Sequence, residues 1–318
     1  MDRRQFLFSL AACAAAGPAL AQNRPIRLIV PFSPGGSTDV IAREIAVLMS
    51  KSLNATVVVE NRGGAGGLIG AAEVARAAPD GFTLGLATQS THAVNPIVYK
   101  KADYNPLTDF TLLGEIALAP GILLVSDKVP ARDLAGFVEY LRGHPDRLTY
   151  SSPGTGTIGH IWGEQFKRST GTSMLHVPYK GASQALADLA AGQVDSTFTS
   201  VASAFPYLKG GRVHALAVSW PSRLDMLPEV PTYAEAGWPD NNQPTWYGLV
   251  GPAGMPGAAR QAIQAAMAAA LQADELRKKY LGQGVFPAHS SSEEFAEVIR
   301  RDMERVAAIS KAANISVD

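Results

Sequence analysis

The sequence predicts two α/β domains, each a mixed, mostly parallel sheet covered by helices, with the second domain inserted into the first. Three observations predict this. Strand and helix patterns alternate along two separate series. A chain of 318 residues exceeds what one small core needs. One Ser-Pro-Gly loop recurs at a strand-to-helix turn in each series.

The first series opens with "IRLIVPF", a buried-strand run, then "VIAREIAVLMSKSL", whose apolar residues recur at helical spacing. "TVVVEN" is a β-branched strand, "LIGAAEVARAA" a helix and "FTLGLAT" a third strand. The second series starts near Asp133 and reads helix "DLAGFVEYLRGH", strand "LTYSS", helix "IGHIWGEQFKRS", strand "MLHVPY" and helix "SQALADLAAG". "DSTFTS" and "VHALAVSW" add two strands, and residues 221–244, rich in Pro, Asp, Asn and Glu, form an irregular connection. "WYGLVGPA" predicts one more strand. One long alanine-rich helix is expected over 258–280, and a last helix follows the capping box Ser291 to Glu294.

Extended segments at 121–126 and 246–250 flank the second series. If both cross between domains, residues 22–122 and 246–318 build the first domain and 123–245 the second, around a two-stranded hinge.

Lys plus Arg equals Asp plus Glu at 28 each, so no field of one sign points to nucleic acid or a charged membrane surface. Residues 1–21 read as an export signal. Arg3 and Arg4 lead a short apolar core, and Ala19-Leu20-Ala21 offers a cleavage site, which places the mature protein in the periplasm. Sec and twin-arginine export both fit the paired arginines. "LAAC" at 10–13 matches a lipoprotein box, with the cut after Ala21 preferred. Cys13 is the only cysteine, so that cut leaves no disulfide or thiol chemistry.

Function concentrates in the two loops. "PFSPGGSTD" brings Ser33, Gly35, Gly36, Ser37, Thr38 and Asp39 to the start of the first helix. "SSPGTGTIGH" brings Thr155, Gly156, Thr157 and His160 to the start of a helix in the second series. Each helix start offers unpaired backbone N–H groups and positive dipole character. Thr38 and Thr157 would each offer a hydroxyl from opposite domains. A phosphate site would require Gly-Lys-Ser/Thr, and Gly-Lys does not occur. Gly154, Gly156 and Gly159 fit a dinucleotide loop, but no acidic residue follows at the next strand. Without lysine or arginine in either loop, a singly charged carboxylate is the better guest, and no cofactor is expected.

Enzyme signatures are missing as well. There is no G-x-S-x-G elbow, no H-E-x-x-H and no cysteine pair. Ser90 and His92 follow the third strand, where open sheets bind ligands. Phe32 and Phe198 could flank a ligand, although strand aromatics mostly belong to cores. Asp39 would repel an anion, so its expected part in the loop is capping or bracing. Asp195 could face a ligand amine or hydroxyl, or simply serve a turn.

"VPFSPGGSTDVIAR", "VVVENRGGAGGLIG", "PDGFTL", "HVPYKGASQALADLAAGQVD", "RLDMLPEVPTYAEAG" and "WYGLVGPAGMP" resemble, in this order, the Bug family of periplasmic solute receptors. These serve tripartite tricarboxylate transporters. The resemblance implies a two-domain periplasmic binding protein (Venus flytrap) fold and a small carboxylate held between loops 33–39 and 155–160, partly through water. It places the aromatic pair on Phe32 and Phe198. It implies a receptor whose partners are the ligand and the transporter's membrane subunits, for uptake or for sensing, and a monomer is expected; the rival reading is a periplasmic enzyme using the same cleft.

Overall fold

Ile26–Val30 form β1, apolar except at Arg27, and every other side chain of the strand is buried. The chain is described here by a computed structural model over residues 24–317, so the export signal and Cys13 lie outside the described residues. Arg27 faces outward and grips two carboxylates, Glu60 at 2.8 Å and Glu73 at 2.6 Å. β1 pairs in parallel with β2 (Val57–Asn61) and β3 (Thr83–Thr88). The helix α1 (Ser37–Leu53) buries Ile41, Ala42, Ile45, Ala46 and Met49, the i, i+4 stripe its sequence promises. It ends at Asn54 in the left-handed region. α2 (Leu68–Ala75) returns to β3, and a π-helical turn, Ser90–Val94, leads into the short α3 (Asn95–Val98).

The longest strand, β4 (Phe110–Ala119), lies where the pattern reading assigns no element. After Pro120 the chain continues extended as β5 (Gly121–Ser126), which belongs to a second sheet. Proline has no N–H to extend a ladder, and its carbonyl accepts instead from Val201 N–H at 2.9 Å. The second sheet also contains β6 (Thr149–Ser152), β7 (Leu175–Pro178), β8 (Ser196–Ser200) and β9 (Val213–Ser219), in the order β7-β6-β8-β5-β9. Around it lie α4 (Leu134–Gly143), α5 (Ile158–Thr170), α6 (Ala182–Ala190) and α7 (Val201–Leu208). Asp133 caps α4 and Ser200 caps α7. The chain then returns to the first sheet as β10 (Thr245–Pro252).

Parallel pairing is less extensive than expected. It holds for β2-β1-β3 and for β7-β6-β8, whereas β10 runs antiparallel to both β3 and β4, and β5 runs antiparallel to both β8 and β9. Strands that arrive from the other lobe enter against the direction of the βαβ units already there. Neither extended segment is shared between sheets. Gly121 and Ile122, expected at the end of the first domain, pair with Ser200 and Thr199 of β8.

The long helix expected over 258–280 is two helices, α8 (Gly257–Gln272) and α9 (Asp274–Leu281), separated by Ala273 in extended conformation. The break turns α9 back onto α1, where Tyr280 Oη donates to the Ile41 carbonyl at 3.0 Å and Lys279 meets Glu44 at 2.7 Å. β11 (Phe286–Pro287) forms the sheet edge beside β4. The last helix, α10 (Ser292–Ala312), starts with the expected Ser291–Glu294 capping box.

Asp302 on α10 accepts from Trp246 Nε1 at 2.7 Å and from Gln89 Nε2 at 2.6 Å, all three side chains being buried. It thereby ties the end of β3 and the start of β10 to the last helix. Asp302→Ala leaves two buried donors unpaired, at about 1–3 kcal/mol each. Urea unfolding is expected to show a loss of roughly 2–6 kcal/mol; a change below about 0.5 kcal/mol, within the range of a surface substitution, would contradict the anchoring role.

Candidate functional site

Both Ser-Pro-Gly loops leave the carboxyl ends of parallel strands, β1 in one lobe and β6 in the other, and both open a helix. Between them lies a cavity of about 50 Å³. Gly36, Ser37 and Thr38 face it from the start of α1, and Thr157, Ile158 and Gly159 from the start of α5. Ser33, Phe32 and Ser90 complete the predicted residues that line it. Every lining residue is uncharged.

Backbone donors at both helix starts meet hydroxyls from the opposite lobe. Ser37 N–H donates to Ser203 Oγ of α7 at 2.9 Å, and Ile158 N–H donates to Ser90 Oγ at 3.0 Å. The Ser37 hydroxyl pairs with Tyr247 Oη at 2.8 Å. The two threonines differ. Thr157 gives its hydroxyl proton to the Gly154 carbonyl at 2.7 Å, closing its own loop. Thr38 lines the cavity with a hydroxyl that pairs with no protein group among the described residues. Trp162, one turn into α5 and 7% exposed, presents a buried indole N–H without an acceptor.

Several predicted residues stand behind the cavity instead of lining it. Asp39 accepts from Gly35 N–H at 3.1 Å, Asn61 Nδ2 at 3.0 Å and Arg43 Nε at 3.0 Å. Burial alone would raise its pKa, but Arg43, Gly35 and Asn61 outweigh that and hold the carboxyl below its ordinary value. Its charge is therefore spent on bracing the loop, and Gly35, at φ +87°, supplies the turn. Thr155 gives its carbonyl to Tyr99 Oη at 2.9 Å, across the lobe seam. Gly156, at φ +72°, lies under the Tyr99 ring, which a Cβ would meet at 2.5 Å. Its N–H donates to His160 Nδ1 at 3.3 Å, so His160 serves as an acceptor, and its ring stacks on His176 at 4.1 Å.

Asp195 accepts from the N–H and hydroxyl of Thr149, each at 2.8 Å, and fixes β8 to β6. Phe198 is fully buried against Tyr150 and Phe166. Phe198 is absent from the cavity lining, whose aromatic residues are Phe32, Trp162 and Tyr247. His92 is buried against Phe110 and Tyr104, with Nδ1 on Thr91 Oγ1 at 2.9 Å. Thr88, Thr199, Ser200, Ser203 and Tyr247 also line the cavity and escaped the sequence reading. Tyr247 and Trp162 lie within or beside motifs already singled out; nothing local distinguishes Ser203 from other helix serines. Among the described residues no His, Cys, Asp and Glu cluster is arranged to hold a metal.

The tripartite tricarboxylate transporter family receptor profile matches residues 41–315. The chain belongs to that receptor family. BugT of Bordetella pertussis, a family relative, is 30% identical over 94% of this chain and 93% of its own. A solved periplasmic transporter is 43% identical, with a TM-score of 0.90 over 95% of this chain and all of its own. The Rhodopseudomonas palustris protein Rpa4515, solved with adipate, is 34% identical with a TM-score of 0.89, covering 94% and 99% of the two chains. MatC from the same organism, solved with malate, is 31% identical with a TM-score of 0.86, covering 90% and 98%. The Bug resemblance and the two-domain binding-protein fold therefore hold for the receptor described here.

Burial holds His92 neutral, with its pKa lowered to about 3. Burial, then the neighbouring His160 and Lys167, lowers His176 to about 3 as well. A histidine whose folded pKa is depressed binds protons more readily when unfolded, so stability should fall as pH drops through 6.5 toward 3. Urea midpoints measured across that window are expected to decline on the acid side, with a shallower slope for His92→Phe. A midpoint independent of pH, or an unchanged slope in the variant, would contradict the buried neutral state.

Proposed function

We propose that this receptor holds one carboxylate of a small organic acid in the cavity between its lobes. The observation that carries the reading is the convergence of two helix starts from opposite lobes on one uncharged, hydroxyl-lined cavity, with Thr38 and Trp162 offering unused donors. Neutral donors and helix dipoles suit a singly charged group. The carboxylates bound by two relatives support the same class. Ser33, Gly36, Ser37, Thr38 and Ser90 are the predicted residues that this reading retains at the ligand, with Thr157 bracing the second loop at the cavity wall and Phe32 and Trp162 as flanking rings.

The first domain comprises the strands before Pro120 and after residue 244, and the second the strands between, so the hinge falls at Pro120 and in 220–244. The receptor works in the periplasm as a monomer and delivers its ligand to the membrane subunits of a tripartite transporter. The cavity lining supplies hydroxyls but no histidine, carboxylate, lysine or cysteine to activate them, which favours a receptor over an enzyme.

A thermal-shift screen against small mono- and dicarboxylates tests this. A ligand at about 100 times its dissociation constant adds roughly 2.7 kcal/mol of stability. Stabilisation without turnover is the expected result; stoichiometric consumption of a hit would make the cleft an active site.

The two threonines separate binding from bracing. For any carboxylate the screen finds, Thr38→Val should weaken affinity roughly 10- to 150-fold, the worth of a hydrogen bond to a charged group. Trp162→Phe should do the same while keeping the ring. Thr157→Val should lower stability by about 1 kcal/mol, as for a lost loop hydrogen bond, with affinity nearly intact. An affinity of Thr38→Val within about twofold of wild type would remove Thr38 from the ligand.

A further inference from the structure

Tyr99 follows α3 in the first lobe, yet its side chain acts on the second. Its Oη donates to the Thr155 carbonyl at 2.9 Å, and its ring covers Gly156 so closely that a Cβ there would stand 2.5 Å from the ring edge. Gly66 makes room for the same contact from the first lobe. A Cβ on it would stand 3.1 Å from Tyr99 Oη and 2.6 Å from the Thr155 carbonyl oxygen. The glycine turn of the first lobe, the Tyr99 side chain and the loop that carries Thr157 to the cavity thus meet at backbone distance.

Two features fix Tyr99 in that place. The short segment after α10 returns to it as a parallel bridge. Val317 N–H donates to the Val98 carbonyl at 2.7 Å, and the Val317 carbonyl accepts from Lys100 N–H at 3.1 Å, so the backbone of Tyr99 is held on both sides. Beside it an apolar cluster joins the lobes. Ile158 and Ile161 of α5 pack with Val94, Val98 and Val306 of the first lobe, and Ile161, Val98 and Val306 are buried. Drawing the lobes apart about Pro120 would return that surface to water. It would also leave the Thr155 carbonyl without Tyr99.

We infer that Tyr99, seated by the segment 315–317, is a positioning residue for the second ligand loop and latches the two lobes together. This rests on the two-lobe hinge reading and not on the carboxylate reading of the cavity. A contact made in only one of two arrangements shifts the equilibrium toward that arrangement by its own free energy. A ligand gripped by helix starts of both lobes binds the closed fraction, so Tyr99 sets apparent affinity without touching the guest. Gly66 and Gly156, at φ +61° and +72°, belong to the same device, because neither has room for a side chain while Tyr99 lies against it.

The test measures distances between spin labels at Ile69→Cys and Leu175→Cys, one exposed site on each lobe, in a Cys13→Ser parent chain with no ligand added. Tyr99→Phe keeps the ring and loses one neutral hydrogen bond, so the ratio of closed to open separations should fall about 2- to 13-fold. Tyr99→Ala should lower it further. Val317→Pro removes the N–H donated to Val98 and should lower the ratio with Tyr99 intact. Gly156→Ala should open the lobes too, and its effect should shrink in combination with Tyr99→Ala, since the clash needs the ring. A ratio that Tyr99→Ala leaves within about twofold of the parent, or effects of Tyr99→Ala and Gly156→Ala that simply add, would overturn the latch. An unchanged ratio with a lowered melting temperature would do the same, leaving Tyr99 as a support of its own lobe. A parent without closed separations would overturn it as well, and one unvarying distance in every chain would remove the hinge reading with it. The readout needs no ligand, so failure of the carboxylate reading would leave its result standing.

Discussion

Each lobe aims the start of a helix at one small cavity, and the backbone N–H groups there have to find oxygen. A helix leaves its first-turn donors unpaired, and two such ends facing each other bring like partial charges together. Something electron-rich must lie between them. Serine hydroxyls answer part of that demand from across the gap, Ser203 for α1 and Ser90 for α5. The loop glycines, the buried Asp39 and the hydroxyl-rich lining all follow from keeping these two helix ends opposed without a fixed cation.

Asp39 illustrates how charge is managed. An acidic residue in the first turn suits the helix dipole, yet a bare carboxylate beside an anion site would oppose the guest. Arg43, one turn on, neutralises it from the far side, and Asn61 and Gly35 take up its remaining lone pairs. The loop gains a rigid brace, and the cavity is spared the charge.

The strand-loop-helix units were legible because periodicity and turn residues are local, and both loops fell where the Ser-Pro-Gly motif put them. What depended on distant pairing was not. β4 hides because Gly114, at φ +137°, and irregular register against β10 break any simple alternation. The antiparallel share of each sheet depends on strands far apart in sequence. At the site, Phe198 and Trp162 are both aromatic neighbours of the second loop. Which one turns inward is decided by packing: Phe198 is committed to Tyr150 and Phe166. His160 and His92 lie outside the cavity lining for a related reason, since each pairs with a neighbour within its own lobe. Thr157 lines the cavity, but its proton is taken by a carbonyl three residues back.

The position of β10 bears on the order in which the molecule can assemble. It sits between β3 and β4, at the middle of the six-stranded sheet, although more than a hundred residues of the other lobe precede it in the chain. Until Thr245–Pro252 is present, β3 and β4 have no common neighbour, and the sheet consists of two unconnected fragments. The five-stranded sheet has no such dependence, because all its strands lie between residues 121 and 219. A chain that is threaded amino end first can therefore finish the inserted lobe before the lobe that encloses it.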